Sequence, residues 1–217
     1  MTVSRGTSGA AATALTVAGL RALVPVSRET GERLTAYAEL LVKWQTRINL
    51  IGPATLPDLW RRHMLDSAQL LPRLRPGPVL DMGSGAGFPG MVLAILRSDG
   101  GVDPVHLVES DSRKCAFLRE VARVTQAPAV VHNKRLEQLN PFFVKTITAR
   151  ALAPLSKLLD MAEPFLSPDT ECLFLKGKGG EDELTEGSKD WMMLVERIAS
   201  LADPSGIILH LREVHRG

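Results

Sequence analysis

The chain has 217 residues, of which 45% are hydrophobic and 23% are charged, a composition typical of one ordinary globular domain. It is too apolar for a disordered chain, and it contains no uncharged apolar run long enough to cross a bilayer. Its two cysteines, Cys115 and Cys172, exclude a disulfide framework and a zinc site built only from paired cysteines, and they favour a reducing, cytoplasmic location.

The net charge of +2 is unevenly distributed along the chain. Residues 21–75 hold nine Lys and Arg against five Asp and Glu, whereas residues 76–217 hold sixteen against nineteen. A basic N-terminal third indicates a polyanionic partner such as a nucleic acid.

The first segment, residues 1–20, loosely resembles a signal peptide, with Arg5 ahead of an alanine-rich run. Thr13, Thr16 and Gly19 interrupt that run, and no small-residue cleavage site follows. We therefore expect residues 1–20 to form a disordered N-terminus.

Residues 21–75 have the periodicity of a helical extension. Apolar residues recur every three or four positions from Ser27 to about Asn49, which predicts one amphipathic helix. A second apolar stripe begins at Thr55 or Pro57 and ends at Pro72, which predicts a second helix.

From residue 76 to residue 217, short apolar runs alternate with stretches of helical spacing. The predicted strands are Val79–Asp81, Val105–Glu109, Ala129–His132, Thr146–Ala149 and Glu171–Leu175. The predicted helices between them cover about 90–97, 112–125 and 154–166. This rhythm predicts an α/β domain with a Rossmann-like parallel sheet covered by helices on both faces. Trp191–Ile198 and Ile207–Leu211 predict a terminal hairpin, so the last strand should enter antiparallel.

A glycine-rich loop follows the first predicted strand and precedes a helix, which is the context of a nucleotide-binding loop. It spans Asp81 to Gly90 and contains four glycines, which allow sharp turns and a close approach of the backbone to a ligand. Residues 85–90 match the dinucleotide pattern G-x-G-x-x-G, but Pro89 lacks an amide that a pyrophosphate needs and Phe88 adds bulk. The other reading begins with the acidic Asp81 at the strand tip, which suits a cationic ligand.

S-adenosylmethionine is such a ligand, because it carries a sulfonium, an ammonium and only one carboxylate. In this reading Asp81, Gly83, Gly85 and Gly87 form the binding loop. Glu109, at the tip of the second strand, accepts hydrogen bonds from the ribose hydroxyls, since a carboxylate is a good acceptor for a diol.

The loop and a set of motifs in the same order resemble the bacterial 16S ribosomal RNA guanine-N7 methyltransferases, the glucose-inhibited division protein B family. The resemblance covers about residues 35–180. Its motifs are the Phe-Pro-Gly end of the loop, Asn49-Leu50, Arg62-His63, Asp66-Ser67, Glu109, Arg113-Lys114, Phe117-Leu118, Arg135-Leu136-Glu137, Arg150-Ala151 and Lys176-Gly177.

The resemblance implies a class I S-adenosylmethionine-dependent methyltransferase fold, with a guanosine of small-subunit ribosomal RNA as the acceptor. It implies cofactor contacts at Gly83, Phe88, Leu136, Glu137 and Arg150.

Guanine N7 carries an in-plane lone pair and is unprotonated at neutral pH, so it can attack a methyl group in line without a general base. Proximity, geometry and exclusion of water then provide the catalysis. We expect catalytic roles for His63, Arg150 and Lys176. We also expect His63 and Lys176 to contact the substrate RNA. The full set of expected RNA contacts is Asn49, Arg62, His63, Asp66 and Lys176. For His63 and Asp66, on one predicted helix face, a buried polar network is the alternative.

The sequence shows no clustered metal ligands and nothing that requires more than a monomer. Two other functions stay open at this point. The basic N-terminal third also fits a non-catalytic ribosome-assembly or RNA-binding factor that keeps the fold, and the literal glycine pattern fits a nicotinamide enzyme.

Overall fold

A single seven-stranded sheet forms the centre of the protein. The computed structural model describes residues 14–98 and 103–217. The strand order is β3-β2-β1-β4-β5-β7-β6. The strands are β1 (Val79–Met82), β2 (Val105–Glu109), β3 (Ala129–Asn133), β4 (Thr146–Arg150), β5 (Glu171–Lys176), β6 (Trp191–Ala199) and β7 (Ile207–Arg216).

The sheet confirms the predicted Rossmann-like architecture. Strands β1 to β5 pair in parallel, and each begins where the sequence predicts and ends within one residue of the predicted end. The predicted terminal hairpin is also confirmed, because β7 lies antiparallel between β5 and β6. β7 runs five residues beyond Leu211, since its end continues to pair with β6 as far as Trp191 opposite Arg216.

Seven α-helices lie in the described ranges, and α4 and α5 pack directly on the strands. The helices are α1 (Val17–Leu23), α2 (Arg28–Gln45), α3 (Asp66–Ala68), α4 (Gly90–Arg97), α5 (Ser112–Thr125), α6 (Leu155–Ala162) and α7 (Gly180–Gly187). The predicted α4 and α5 are confirmed, and the third predicted helix ends early at Ala162 and continues as a 3₁₀ turn over Glu163–Phe165. Helix α7 is not among the predicted helices. It is acidic, with three carboxylates in its first turn, where they interact favourably with the helix dipole.

The expectation of disorder over residues 1–20 is wrong for its last part. Helix α1 begins at Val17 after Thr16, whose side chain accepts a hydrogen bond from the Gly19 amide, and Leu20 is fully buried. Residues 1–13, which fall under the same expectation, lie outside the described residues.

Helix α2 begins where predicted, with Ser27 as its N-cap, but it ends at Gln45 rather than near Asn49. The Gln45 side chain explains this end. Its Oε1 accepts hydrogen bonds from the amides of Leu50 and Ile51, both at 3.0 Å. These bonds fold the chain back on the helix instead of extending it.

The second predicted helix is wrong as a single α-helix. The segment forms a 3₁₀ helix over Pro53–Asp58, a π-helix over Trp60–Leu65 and the short α3, followed by a 3₁₀ turn over Leu71–Arg73. Pro57 lies inside the first of these helices and lacks the amide that a regular α-helix needs. π-helical turns are rare and often occur at functional sites.

The N-terminal helices share one hydrophobic core with the sheet. Leu34, Tyr37 and Leu41 of α2 are fully buried in the same cluster as Leu107 of β2 and Phe117 of α5. Burial of each large side chain stabilises the fold by about 1.5–3 kcal/mol. Within the described residues, no helix combines the length and apolarity that a membrane span requires.

The glycine loop closes the carboxyl end of β1 in a conformation that only glycine adopts easily. Gly83, Gly85 and Gly87 have φ angles of +65°, +57° and +102°. At Gly87 a Cβ atom would lie 2.7 Å from both the Cβ of Met91 and the hydroxyl of Tyr37. Gly87 therefore lets the loop pack directly on α2 and α4.

We predict that Gly87→Ala lowers the free energy of unfolding by about 2–4 kcal/mol, because it combines an unfavourable φ with overpacking. Urea unfolding of the purified protein measures this change. Gly52→Ala is the matched control, since a Cβ there meets no atom within 4 Å. Equal stability of the two variants would contradict the packing role.

Candidate functional site

A cavity of about 950 Å³ opens at the carboxyl ends of the parallel strands, where ligands bind in open α/β sheets. Its walls come from the glycine loop, the ends of β2, β4 and β5, the loop after β3, and the N-terminal 3₁₀ and π-helices. Most of the predicted site residues line it: Arg62, His63, Asp66, Gly83, Gly85, Phe88, Glu109, Leu136, Glu137, Arg150 and Lys176.

Three predicted site residues do not line this cavity. Asn49 is exposed outside it. Gly87 packs against Met91 and Tyr37 instead. The position of Gly87 corrects its prediction as a direct cofactor contact and gives it a conformational role, whereas the predicted RNA contact of Asn49 stays a prediction.

Asp81 is the third predicted site residue that does not line the cavity, and it is fully buried. The hydroxyl of Thr148 on β4 donates to its Oδ1 at 2.8 Å, and a Cβ at Gly90 would lie 2.6 Å from its Oδ2. Burial raises the pKa of Asp81 to about 6, while hydrogen bonds from Ser84 and Thr148 act in the opposite direction. The expectation that two acidic strand tips face the ligand is corrected, since the Asp81 carboxyl group lies between β4 and the start of α4.

Glu109 is the acidic strand tip that lines the cavity. Its Oε2 accepts the amide of Gly85 at 2.9 Å, and its Oε1 accepts the amide of Asp111 at 2.7 Å. These two bonds fix the carboxylate against the glycine loop, and each oxygen keeps a further lone pair for a ligand donor.

Arg150, at the end of β4, is fixed by three acceptors from the N-terminal segment. Its Nη1 donates to the carbonyl of Arg62 at 2.9 Å and to Oδ2 of Asp66 at 3.2 Å. Its Nη2 donates to Nδ1 of His63 at 2.8 Å. The guanidinium also lies 5.0 Å from the ring centroid of Phe88. Only 17% of the Arg150 side chain is exposed, so the cation is held firmly in the cavity wall.

The contacts of Arg150 determine the tautomer of His63. A guanidinium can only donate, so Nδ1 of His63 must accept and its proton lies on Nε2. Nε2 then donates to the hydroxyl of Thr55 at 2.8 Å, and that hydroxyl donates to the carbonyl of Gly52 at 2.8 Å. Burial lowers the pKa of His63 to about 3, with further contributions from the charges of Arg150 and Arg62. His63 is therefore neutral at physiological pH, and both of its ring nitrogens are occupied.

Phe88 forms an aromatic layer between α2 and this polar group. Its ring stacks on Tyr37 with centroids 5.4 Å apart and lies 4.9 Å from the His63 ring. The Tyr37 hydroxyl donates to the carbonyl of Ala86. The glycine loop is thus attached to the N-terminal helix by both stacking and a hydrogen bond.

Lys176 lines the cavity, but its ammonium is engaged within the protein. It donates to the carbonyl of Ala153 and to Oε2 of Glu183, each at 2.7 Å, and its side chain is only 7% exposed. Oε2 of Glu183 also accepts the amide of Leu155. Lys176 therefore connects β5 to α7 and to the start of α6. This geometry does not support its predicted contact with substrate RNA.

The hairpin between β6 and β7 forms a rim of the cavity that is not predicted from the sequence. Ser200, Ala202 and Asp203 line the same cavity. Gln69 connects this turn to the site. Its Nε2 donates to Oδ1 of Asp66 at 3.0 Å and to Oγ of Ser200 at 3.1 Å. Gln69 and the turn are far apart in the sequence, and the order of the strands brings them together. No periodic pattern in the sequence therefore predicts this contact.

The chain matches the family model described as rRNA small subunit methyltransferase G over residues 30–208. It is 62% identical over 194 residues to the ribosomal RNA small subunit methyltransferase G of Paramagnetospirillum magneticum, covering 88% of this chain and 93% of that protein. It is 58% identical to the protein of the same name from Rhodospirillum rubrum, covering 89% and 95% of the two chains.

Solved structures of low sequence identity share the fold. A putative O-methyltransferase from Klebsiella pneumoniae aligns with a TM-score of 0.58 at 13% identity, covering 89% of this chain and 93% of that one. The ribosomal protein L11 methylase from Lactobacillus delbrueckii subsp. bulgaricus aligns with a TM-score of 0.53 at 17% identity, covering 69% and 76%.

We predict that the His63 imidazole does not titrate between about pH 8 and about pH 5, because burial and two neighbouring cations disfavour its charged form. Nitrogen-15 NMR of the ring should show the Nε2–H tautomer throughout. Thr55→Val removes the acceptor of that proton and should shift the ring resonances, whereas Thr55→Ser should restore them. A His63 ring that titrates near pH 6.5 in the wild type would contradict this arrangement.

Proposed function

Because the chain belongs to the rRNA small subunit methyltransferase G family, we propose that it transfers a methyl group from S-adenosylmethionine to N7 of a guanosine in 16S ribosomal RNA. The observation that carries this proposal is that the neutral His63 ring fixes the Arg150 cation in the cavity. In this proposal the protein acts in the cytoplasm as a monomer on the small ribosomal subunit or a precursor of it.

The glycine loop and Glu109 fit S-adenosylmethionine. A Cβ at Gly85 would enter open space beside the cavity, with only the carbonyl oxygen of Gly83 within 4 Å, so the bare backbone leaves room for a ligand. Glu109 is suited to the ribose hydroxyls, while Leu136 and Glu137 line the adjacent wall. S-adenosylmethionine supplies an activated methyl group on a sulfonium.

The engagement of the His63 ring by its neighbours is compatible with attack by N7 without proton removal. His63 can take up a proton only by giving up its bond from Arg150, and its low pKa disfavours that. We propose that His63 positions Arg150. Arg150 binds guanine O6 or the cofactor carboxylate, since both are acceptors suited to a guanidinium.

The remaining predicted residues divide between the cavity and its surroundings. Arg62 is exposed at the edge of the cavity, where it can contact an RNA phosphate, and the exposed Asn49 can contact RNA outside it. Asp66 positions Arg150 through its carboxylate. Lys176 positions the wall formed by α6 and α7 through Glu183.

Methyl transfer to small ribosomal subunits from cells that lack the protein tests this function. We expect labelled methyl groups to enter the RNA and mass spectrometry to place them on N7 of one guanosine. Binding of S-adenosylmethionine without transfer would favour the assembly-factor alternative. No binding of S-adenosylmethionine, together with binding of NADH, would favour a nicotinamide enzyme.

The variants Glu109→Gln and Asp81→Asn test which of the two acidic strand tips binds the cofactor. Glu109→Gln should weaken S-adenosylmethionine binding about 10- to 100-fold, because a charged acceptor in the cavity is lost. Asp81→Asn should have a smaller effect, since Asp81 is buried away from the cavity. Calorimetry of both variants measures the difference. The reverse order of effects would show that Asp81 is the ligand-binding carboxylate.

A further inference from the structure

The turn between β6 and β7 forms a rigid rim on the cavity. The amide of Ser200 donates to the carbonyl of Gly206 at 3.0 Å, and the amide of Gly206 donates to the carbonyl of Asp203 at 2.9 Å. Oγ of Ser200 accepts the amides of Ala202 and Asp203 at 3.1 and 3.3 Å. These bonds hold the Asp203 backbone in one position.

The same turn is attached to the residues that hold Arg150. Gln69 donates to Asp66 and to Ser200, and its Oε1 accepts the amide of Leu201 at 2.7 Å. The carboxylate of Asp66 binds Arg150 in turn. Asp203 is therefore held in a fixed relation to Arg150 by hydrogen bonds and not only by packing.

The carboxylate of Asp203 has one engaged oxygen and one that is open to a ligand. Oδ1 accepts the amide of Ser205 at 2.9 Å and its hydroxyl at 2.8 Å. Oδ2 has no hydrogen-bond partner in the described part of the chain. The bonds from Ser205, and then the charge of Arg62, lower the pKa of Asp203, so the group is ionised at neutral pH.

Two other carboxylates that line the cavity, Asp66 and Glu183, are already engaged by neighbouring side chains. Asp66 binds Arg150 with one oxygen and Gln69 with the other. Glu183 is neutralised by direct contact with Lys176. Of the three cavity carboxylates Asp66, Glu183 and Asp203, Asp203 is the one with no cation in direct contact among the described residues.

We propose that Asp203 recognises the target base, accepting hydrogen bonds from N1–H and N2–H of guanine. This inference rests on the proposed function. Guanine carries these two donors on the edge opposite N7, so an acceptor there holds the base while N7 is left free for attack. Adenine presents an unprotonated N1 at the same edge, which a carboxylate repels.

The reaction itself strengthens this interaction. The lone pair of N7 forms the new N–CH₃ bond, and the pair of the breaking C–S bond stays on sulfur, which becomes a neutral thioether. No proton is transferred. The base becomes positively charged, so its N1–H and N2–H become stronger donors to Asp203. An interaction that grows along the reaction raises kcat as well as affinity.

Asp203→Asn tests the inference with little disturbance of the turn, because the amide oxygen can still accept from Ser205. An NH₂ group takes the place of the second oxygen. It is a donor and cannot form a hydrogen bond with the N1–H donor of guanine. We expect kcat/KM for methyl transfer to small subunits to fall about 10- to 100-fold, as for the loss of a charged acceptor that is hydrogen-bonded to the base. The affinity for S-adenosylmethionine should change less than about twofold.

Asp182→Asn is the matched control, since Asp182 is exposed and does not line the cavity, and it should transfer methyl groups at the wild-type rate. Asp203→Ser is a second variant that can still cap the turn and whose hydroxyl proton can rotate away from N1–H. It should lose less activity than Asp203→Asn. Thermal unfolding of all variants checks that the fold is kept.

Reconstituted subunits with inosine at the mapped guanosine test the base contact directly, because inosine lacks the N2 amine. The wild type should transfer methyl groups to inosine more slowly than to guanosine, and in Asp203→Asn the two rates should differ less than in the wild type. Wild-type kcat/KM in Asp203→Asn, or equal transfer to both bases by the wild type, would overturn the inference. A wild type that labels no RNA would instead overturn the proposed function.

Discussion

The three hydrogen bonds of Arg150 to the N-terminal segment are the constraint on which the site depends. They join the carboxyl end of β4 to Arg62, His63 and Asp66, which lie nearly ninety residues earlier in the chain. A partly buried cation needs acceptors that offset its desolvation, and this one has a carbonyl, a carboxylate and an imidazole. Without the N-terminal segment Arg150 would lack all three, so the N-terminal segment forms part of the cavity wall as well as of the core.

The register of the sheet explains why two acidic strand tips have different roles. Asp81 pairs with Leu107 on one side and Thr148 on the other, one residue before the end of β1. It therefore lies within the hydrogen-bonded ladder and is buried. Glu109 is the last residue of β2, one position beyond the pairing with β1. Its side chain reaches the edge of the sheet, where it binds the Gly85 amide and lines the cavity.

The cavity combines rigid walls with few free polar groups, which suits a reaction that needs positioning more than proton transfer. His63, Asp66 and Lys176 all carry chemistry that could serve in acid–base catalysis, yet each is engaged by a neighbouring side chain. In the proposed reaction, what these residues supply is a fixed arrangement of Arg150, the glycine loop and the hairpin rim.

The sequence by itself determined the parallel strands, the terminal hairpin and the glycine loop, because these depend on local alternation, turn residues and chain order. The positions of Glu109 and Arg150 at strand ends predicted that both line a ligand cavity, because ligands bind at the carboxyl edge of such sheets. Only the tertiary structure decided the irregular helices around Pro57, the burial of Asp81, and the convergence of Thr55, Gln69 and Asp203 on one cavity. These features arise from contacts between distant segments, which leave no periodic signal in the chain.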